Sequence, residues 1–468
     1  MNHTRRLPSI RQYLLGVSAA VAWVIATGLW NPAAAGDLTA SGRALFERQW
    51  VPNDPASPGG DGLGPMYNAD SCAACHSQGG IGGAGPQERN VTLLSLAVAN
   101  KALRPGKRLA IQSNAEKIHP GFDVGPGCTS SIILHQFSTE PRYARWRLGL
   151  LGQKLPAEAR PAQIDAATAE EQKRRTGSPV FELQPRHGMS LRLSQRNTPA
   201  LFGAGLIGSI SDETLLQLAE QQKKSASGIA GRVGRTVDGK VGRFGWRGQV
   251  ASLSDFVLTA CSMELGLENE RHLQAKNPLE PQRDPRGNDL SPAQCEALVG
   301  FVASLATPRQ LPAGNEREAR RLERGAELFE ESGCVACHVR NVGEVGGIYS
   351  DLLLHDLGPN LEDPVPAFPE KSSVQASEAR ISSSSSSYGG TGSFCADVPS
   401  RTRREWRTPP LWGVRDSAPY LHDGRARTIE EAIALHGGEA APSAKKFADL
   451  DYVERSHLLA FLNSLAAP

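Results

Sequence analysis

Two short motifs constrain what this chain can fold into more than any other feature. Cys72-Ala73-Ala74-Cys75-His76 and Cys334-Val335-Ala336-Cys337-His338 are both CxxCH. In that arrangement the two thiols add to the vinyl groups of a haem, and the adjacent histidine is carried to the iron as an axial ligand. The competing readings are a zinc ion shared by two CxxC pairs, or two redox disulfides. Neither requires a histidine after the second cysteine, yet histidine follows both pairs although the chain has only 11 in 468 residues. Two covalently attached haem c groups are therefore expected, with His76 and His338 bound to iron.

The surroundings of the two motifs repeat. Upstream, Gly42, Leu45, Phe46 and Glu47 match Gly325, Leu328, Phe329 and Glu330; downstream, Ala297–Pro308 matches His457–Pro468. Apolar residues in these blocks recur at three- and four-residue spacing, so each unit opens and closes with a helix. Inside the units, Thr198–Gly203 pairs with Thr408–Gly413, and Trp246–Asp255 pairs with His422–Glu431. Ser252 with Asp255, and Thr428 with Glu431, have capping-box spacing or its Asp variant, so a helix is expected to start at each. The expected fold is mainly α, with two cytochrome c-like domains related by internal duplication and loop-rich, short β insertions. The domains run over 36–308 and 309–468. An insertion at about 100–187 adds a strand-like Ser130–Phe137 and a charged helix-like Ala166–Arg175, and a Ser-rich loop covers about 366–400. Neither insertion reads as catalytic.

The N-terminus reads as an export signal. Arg5, Arg6 and Arg11 precede an apolar run from Tyr13 to Leu29, and Ala33, Ala34 and Ala35 form a small-residue cleavage pattern. Residues 1–35 would be removed and the rest would lie in the periplasm; an uncleaved anchor is the one route to a membrane association. Three of the 51 basic residues lie in 1–35, which leaves 48 against 49 acidic ones. That balance gives no reason to expect a nucleic-acid partner. The Arg317–Arg324 and Arg401–Arg407 clusters read as solvated faces. Cys128, Cys261, Cys295 and Cys395 stand outside the motifs and are available for disulfides, with three pairings open.

These residues resemble the di-haem oxidoreductase family, a group of peroxidase-like or thiol oxidoreductase-like proteins related to bacterial di-haem cytochrome c peroxidases. The resemblance covers most of 40–468 and is most specific in Gly64–Cys72, Gly242–Trp246 and Ala418–Gly424. It implies that His436, fourteen residues after His422, is the distal ligand of the second haem, and Ile429, Ile433 and His436 would share an apolar helix face. The matching position in the first unit is Ala260, which cannot bind iron. Glu264, one turn on, resembles the family's acid–base glutamate, and Trp246 its inter-haem tryptophan; a packed core aromatic is the plainer reading of Trp246. Phe256 stands where the peroxidases have glutamine, and Glu264 is two residues closer to Trp246 than in their pattern. Asn197, Ser417 and Pro419 match the family's interdomain calcium contacts. His187 and Met189 fall near its conditional ligand for the first haem, with Met66, His119 and His135 as alternatives, while His355 reads as a propionate or loop contact. The activity implied is reduction of a small oxidant such as hydrogen peroxide at the first haem, with electrons passed through the second from a soluble cytochrome c or copper protein. The rivals are a di-haem electron carrier without catalysis, and oxidation of a partner as in the methylamine-utilisation enzymes, which have tyrosine at the position of His436.

Overall fold

The computed structural model describes residues 32–97, 105–122, 131–153, 155–156, 159–175, 180–225, 228–236, 238–283, 286–363 and 403–468. The export signal up to residue 31, Cys128, Cys395 and the Ser-rich loop lie outside the described residues. The helices that frame the site are α1 (Pro32–Glu47), α2 (Leu253–Glu264), α3 (Pro292–Ser304), α4 (Glu316–Glu331), α5 (Ile429–Ala434) and α6 (Tyr452–Ser464). The starts of α2 to α6 are set by side chains that accept from orphan backbone N–H groups. Ser252 caps α2 and Thr428 caps α5, as their spacing predicts, and α3 and α6 carry full capping boxes, Ser291 with Gln294 and Asp451 with Glu454.

The opening and closing helices of each half cross at a glycine. A Cβ placed on Gly42 of α1 would stand 2.0 Å from the carbonyl oxygen of Ala297 on α3; one on Gly325 of α4 would stand 2.2 Å from that of His457 on α6. Such an approach lets the next aromatic on each helix reach its partner. Phe46 meets Phe301 with ring centroids 5.2 Å apart, and Phe329 meets Phe461 at 5.5 Å. The same two phenylalanines then touch the motif histidines, Phe46 to His76 at 6.2 Å and Phe329 to His338 at 6.4 Å. Both crossings therefore place a histidine against the same kind of aromatic wall.

Between the helices lies an antiparallel sheet of β1 (Val91–Ala97), β2 (Ser131–Ile133), β3 (Val180–Arg186) and β4 (Met189–Arg196), in the order β2-β1-β4-β3. Leu93 pairs with Ile133 and Leu94 with Leu193. The sheet closes over a core of its own, built from Leu94, Leu96, Phe122, Ile132 and Leu191. The expected strand 130–137 is divided: residues 131–133 join this sheet, while Phe137 and Ser138 pair with Tyr67 and Met66. The expected helix around 166–175 is longer, Pro161–Arg175.

One surface assignment is reversed. Glu405, Trp406 and Arg407 are not a solvated face but the buried strand β6, paired antiparallel with β5 (Leu354–Asp356). Their charges are met inside the protein, since Arg232 Nε donates to Glu405 Oε2 at 2.7 Å and the Arg247 guanidinium lies 4.4 Å from the Trp406 ring centre. A charge count along the chain cannot reveal partners 150 residues away. Among the described residues, no helix is long and apolar enough to cross a membrane.

Gly42→Ala and Gly325→Ala should each lower stability by about 1–3 kcal/mol, the usual cost of overpacking a tight contact. Thermal unfolding followed by circular dichroism checks this, and an unchanged midpoint in either variant would mean that the crossing relaxes freely.

Candidate functional site

Each CxxCH occupies one tight helical turn. At the first, Ser71 Oγ accepts from Ala74 N at 3.1 Å, and the His76 N–H reaches back to the Cys72 carbonyl at 3.0 Å. At the second, Gly333 enters the turn at φ 84°, a left-handed conformation that favours glycine, and the His338 N–H reaches the Cys334 carbonyl at 2.9 Å. At the second motif both sulfurs and the imidazole line one cavity. His76 Nδ1 bonds the Gly83 carbonyl at 3.1 Å, and His338 Nδ1 bonds that of Tyr349 at 2.8 Å. A ring nitrogen facing a carbonyl must carry the proton, so Nε2 is left as the unprotonated, metal-binding atom. Burial holds both imidazoles neutral, with pKa values pulled down to about 4.

His436 lines the same cavity as the second motif. The helix begun at Thr428 stops at Ala434, so His436 follows its end rather than lying on its face. It is fixed there by His436 N to the Ile433 carbonyl at 3.0 Å and by Nδ1 to that of Ala432 at 2.7 Å. His338, His436, Cys334 and Cys337 line one cavity whose walls are otherwise mostly apolar, among them Phe329, Ile433, Leu458 and Leu462. Arg407 Nη1 and His422 Nε2 also belong to buried residues lining this cavity, and neither atom has a hydrogen-bond partner among the described residues. Apolar walls, two sulfurs, two imidazole nitrogens and an unpaired guanidinium N–H suit a haem, which joins an apolar ring to two carboxylates. A shared zinc site does not fit. The only close group of three metal-binding side chains among the described residues is Cys337, Asp351 and His355, which brings in neither cysteine of the first pair.

At the first motif the counterpart of α5 is α2. Its Val257, Leu258, Cys261 and Leu265 face the core, while Phe256, Ala260, Met263 and Glu264 share the less buried face. Phe256 stacks on Phe244 with centroids 5.5 Å apart. Desolvation pushes the Glu264 carboxyl up to about 7, against the pull of a 2.6 Å hydrogen bond from Asn68 Nδ2 to its Oε2. Between the halves, Trp246 is held at both ends: its indole N–H donates to the Asn197 carbonyl at 2.9 Å, and its own carbonyl accepts from Arg407 N at 2.9 Å.

Other expected site residues are arranged differently. His187 is exposed at the tip of the β3–β4 hairpin with φ 48°, and Met189 points into the sheet core by the strand alternation that also buries Leu191 and Leu193. The structure thus brings neither to the first motif. Met66 is buried, Met263 packs on Leu93 and Ile133, His119 Nδ1 accepts from the Gly121 backbone N–H, and His135 Nε2 bonds the Met263 carbonyl across the fold. Asn197 Nδ2 bonds the Pro419 carbonyl directly at 2.6 Å, Asn197 Oδ1 is buried without a hydrogen-bond partner among the described residues, and Ser417 Oγ turns to the Gly413 carbonyl. Cys261 and Cys295 form no disulfide among the described residues. Residues not singled out from sequence also enter the site: Asn68, Arg407, and the stacked pair Trp406 and His422, whose ring centres lie 3.6 Å apart. Asn68 and His422 sit inside two of the three most specific motifs, which is the one signal that marked them.

A model of the family described as "Di-haem oxidoreductase, putative peroxidase" matches residues 390–465. The chain is related to the di-haem oxidoreductases. It is 28% identical over 160 residues to hydrazine synthase subunit gamma of Kuenenia stuttgartiensis, covering 32% of this chain and 44% of that one. It is 27% identical over 151 residues to methylamine utilization protein MauG of Methylorubrum extorquens, covering 31% and 34%. It is 28% identical over 195 residues to cytochrome-c peroxidase IdrP2 of a Pseudomonas species, covering 39% and 50%. The chain therefore spans a third to a half of the length of these relatives.

His355, beside the second motif, bonds Asp351 Oδ2 at 2.8 Å through Nε2 and Glu439 Oε2 at 2.9 Å through Nδ1. Burial works against its charge, but the two carboxylates outweigh burial and hold it protonated well above the usual range. Because its folded-state proton affinity is raised, the stabilisation is complete below about pH 6.5, the ordinary histidine value, and fades as pH rises above that. His355→Gln should therefore be less stable than the parent at pH 6, with the gap narrowing in alkaline buffer; denaturant titrations at several pH values measure it.

Proposed function

We propose that this protein is an exported, periplasmic c-type oxidoreductase of peroxidase type, built by internal duplication from two cytochrome c-like units (36–308 and 309–468), each with a covalently held haem. The observation that carries the reading is the difference between two equivalent positions. Eight residues after their caps, Ser252 and Thr428, the two halves have Ala260 and His436. His436 offers a free Nε2 toward the cavity that also holds His338. Ala260 offers no ligand atom and is exposed on the face of α2 that carries Glu264.

Two imidazoles would close the second centre to small molecules and suit it to electron passage. The first would keep one side open, so the oxidant binds there. Haem iron supplies the electron exchange and the position at which an oxidant binds. Cleaving the O–O bond of hydrogen peroxide takes up two electrons and two protons and leaves two waters. Glu264 is suited to move those protons, since an acid–base group works best with a pKa near the working pH and burial has brought its carboxyl to about 7. Trp246, fixed between the halves, is suited to lie on the electron path. A soluble cytochrome c or copper protein would deliver the electrons, and a calcium ion at Asn197, Ser417 and Pro419 would brace the join between units. That Asn197 and Pro419 already meet, with a buried orphan oxygen beside them, supports such a brace.

Phe256 favours a second reading. It places an apolar ring, stacked on Phe244, on the same face as Ala260. Such a lining suits a di-haem carrier that only passes electrons.

Low-temperature electron paramagnetic resonance separates the possibilities. The oxidised parent should show one low-spin and one high-spin centre, and His436→Ala should convert the low-spin signal while both haems stay attached through acid–acetone extraction. Two low-spin centres in the oxidised parent, together with no reaction of the reduced protein with peroxide, would establish the carrier instead.

Glu264→Gln should cut peroxide turnover by about a hundredfold or more, the usual loss on removing a general acid–base group, and leave both haem spectra nearly unchanged. Steady-state peroxidase assays with a reduced c-type cytochrome give the comparison.

A further inference from the structure

We infer that Asn68 is the positioning residue of the candidate acid–base site, holding the Glu264 side chain in one orientation and directing its exchangeable proton to Oε1. This rests on the reading of Glu264 given above.

Asn68 lies on the segment between the first residues of the Gly64–Cys72 motif and the first haem-attachment turn, buried against the end of α2. It is tied to Glu264 twice. Its backbone N–H donates to the Glu264 carbonyl at 2.7 Å, and its side-chain Nδ2 donates to Glu264 Oε2 at 2.6 Å. The direction of the second bond is not a choice of amide assignment. Asn68 Oδ1 accepts from the Gln136 backbone N–H at 2.8 Å, and a backbone amide can only donate. The oxygen of the amide must therefore face Gln136, which leaves Nδ2, with protons and no lone pair, facing the carboxylate.

Three consequences follow for Glu264. Oε2 is committed as an acceptor, so a proton taken up by the carboxyl goes to Oε1, which has no protein hydrogen bond among those described. The amide supports the ionised form, opposing the desolvation that would otherwise leave the group protonated at neutral pH. Two bonds from one residue, one to main chain and one to side chain, also fix the side-chain torsion relative to the end of α2, where helices fray.

The clamp is braced by the insertion at 100–187. The turn after β2 carries His135, whose Nε2 bonds the Met263 carbonyl at 2.8 Å, and its own carbonyl accepts from Tyr143 Oη at 2.8 Å and Arg147 Nε at 2.9 Å. Met66 and Tyr67 pair with Ser138 and Phe137, so the strand before Asn68 and the residues after Gln136 form one ladder. The insertion thus forms the outer wall of the distal site. Titratable and charged groups on the elements around Glu264 include Asp255 and Cys261 of α2, Tyr67, Asp70, Cys72 and Cys75 on the segment that carries Asn68, and Arg89 and His135. His135 is kept neutral by burial, at about 4, and Asn68 is the residue whose side chain hydrogen-bonds the carboxyl.

Infrared difference titration of the holoprotein tests the inference without relying on turnover. The protonated carboxyl C=O band of Glu264 is identified by its loss in Glu264→Gln, and its titration is compared in the parent, Asn68→Leu and Asn68→Ser. Removing a donor to a charged acceptor should raise the proton affinity of Glu264 roughly tenfold in Asn68→Leu, moving the titration to higher pH. Asn68→Ser, which keeps a smaller donor, should fall between. Coincident titrations in parent and both variants would overturn the assignment. If Asn68→Leu fails to fold, as judged by haem content, the Ser variant carries the comparison alone. Should Glu264→Gln retain full peroxide turnover, the acid–base reading fails, while the titration still reports whether Asn68 controls the carboxyl.

Discussion

The hydrogen bond from each motif histidine to a downstream carbonyl is the contact on which the rest of the site depends. A CxxCH turn fixes sulfur and imidazole only in sequence; the ring can still rotate. Bonding Nδ1 to Gly83 in one half and to Tyr349 in the other fixes both rotation and tautomer, and leaves a single unprotonated nitrogen on each ring. That anchor needs the loops after each motif to return to it. The return depends in turn on the helix pairs behind, where Gly42 and Gly325 permit the close crossing that sets Phe46 and Phe329 against the rings.

The join between the halves is unusually rich in buried charge. Arg196 on β4 donates to Asp363 Oδ2 at 2.6 Å, and its guanidinium lies 5.4 Å from the Trp406 ring, whose other neighbours are Arg247 and His422. Removing one member of such a set leaves a charge without compensation, so these residues behave as a unit. Trp246 and Asn197 sit at its edge, linked to each other by the indole N–H and to Arg407 and His422 by main-chain bonds.

Much of this was legible from the sequence because its signals are local. The CxxCH spacing, the capping residues Ser252 and Thr428, and the paired blocks around Gly42 and Gly325 each depend on residues within a few positions of one another. His436 was found by its offset from His422, although its helix stops two residues short and a backbone turn completes the placement. Where the signal was a charge pattern it misled. Glu405, Trp406 and Arg407 look like a solvated run and are a buried strand, because their partners Arg232, Arg247 and Gly245 are remote in the chain.

His187 and Met189 show the same boundary from the other side. Their nearness in sequence to a family position did not carry through the fold, because a hairpin turn exposes one and strand alternation sends the other into the sheet core. The bracing of Glu264 was out of reach for the same reason: Asn68, Glu264 and Gln136 are brought together from three separate segments. The sequence by itself determined the attachment motifs, the helix starts and the contrast between Ala260 and His436, since these follow from residue type and spacing. Only the tertiary structure decided which carboxyl oxygen, which imidazole nitrogen and which arginine face the sites, because orientation is set by hydrogen bonds across the chain that no local pattern encodes.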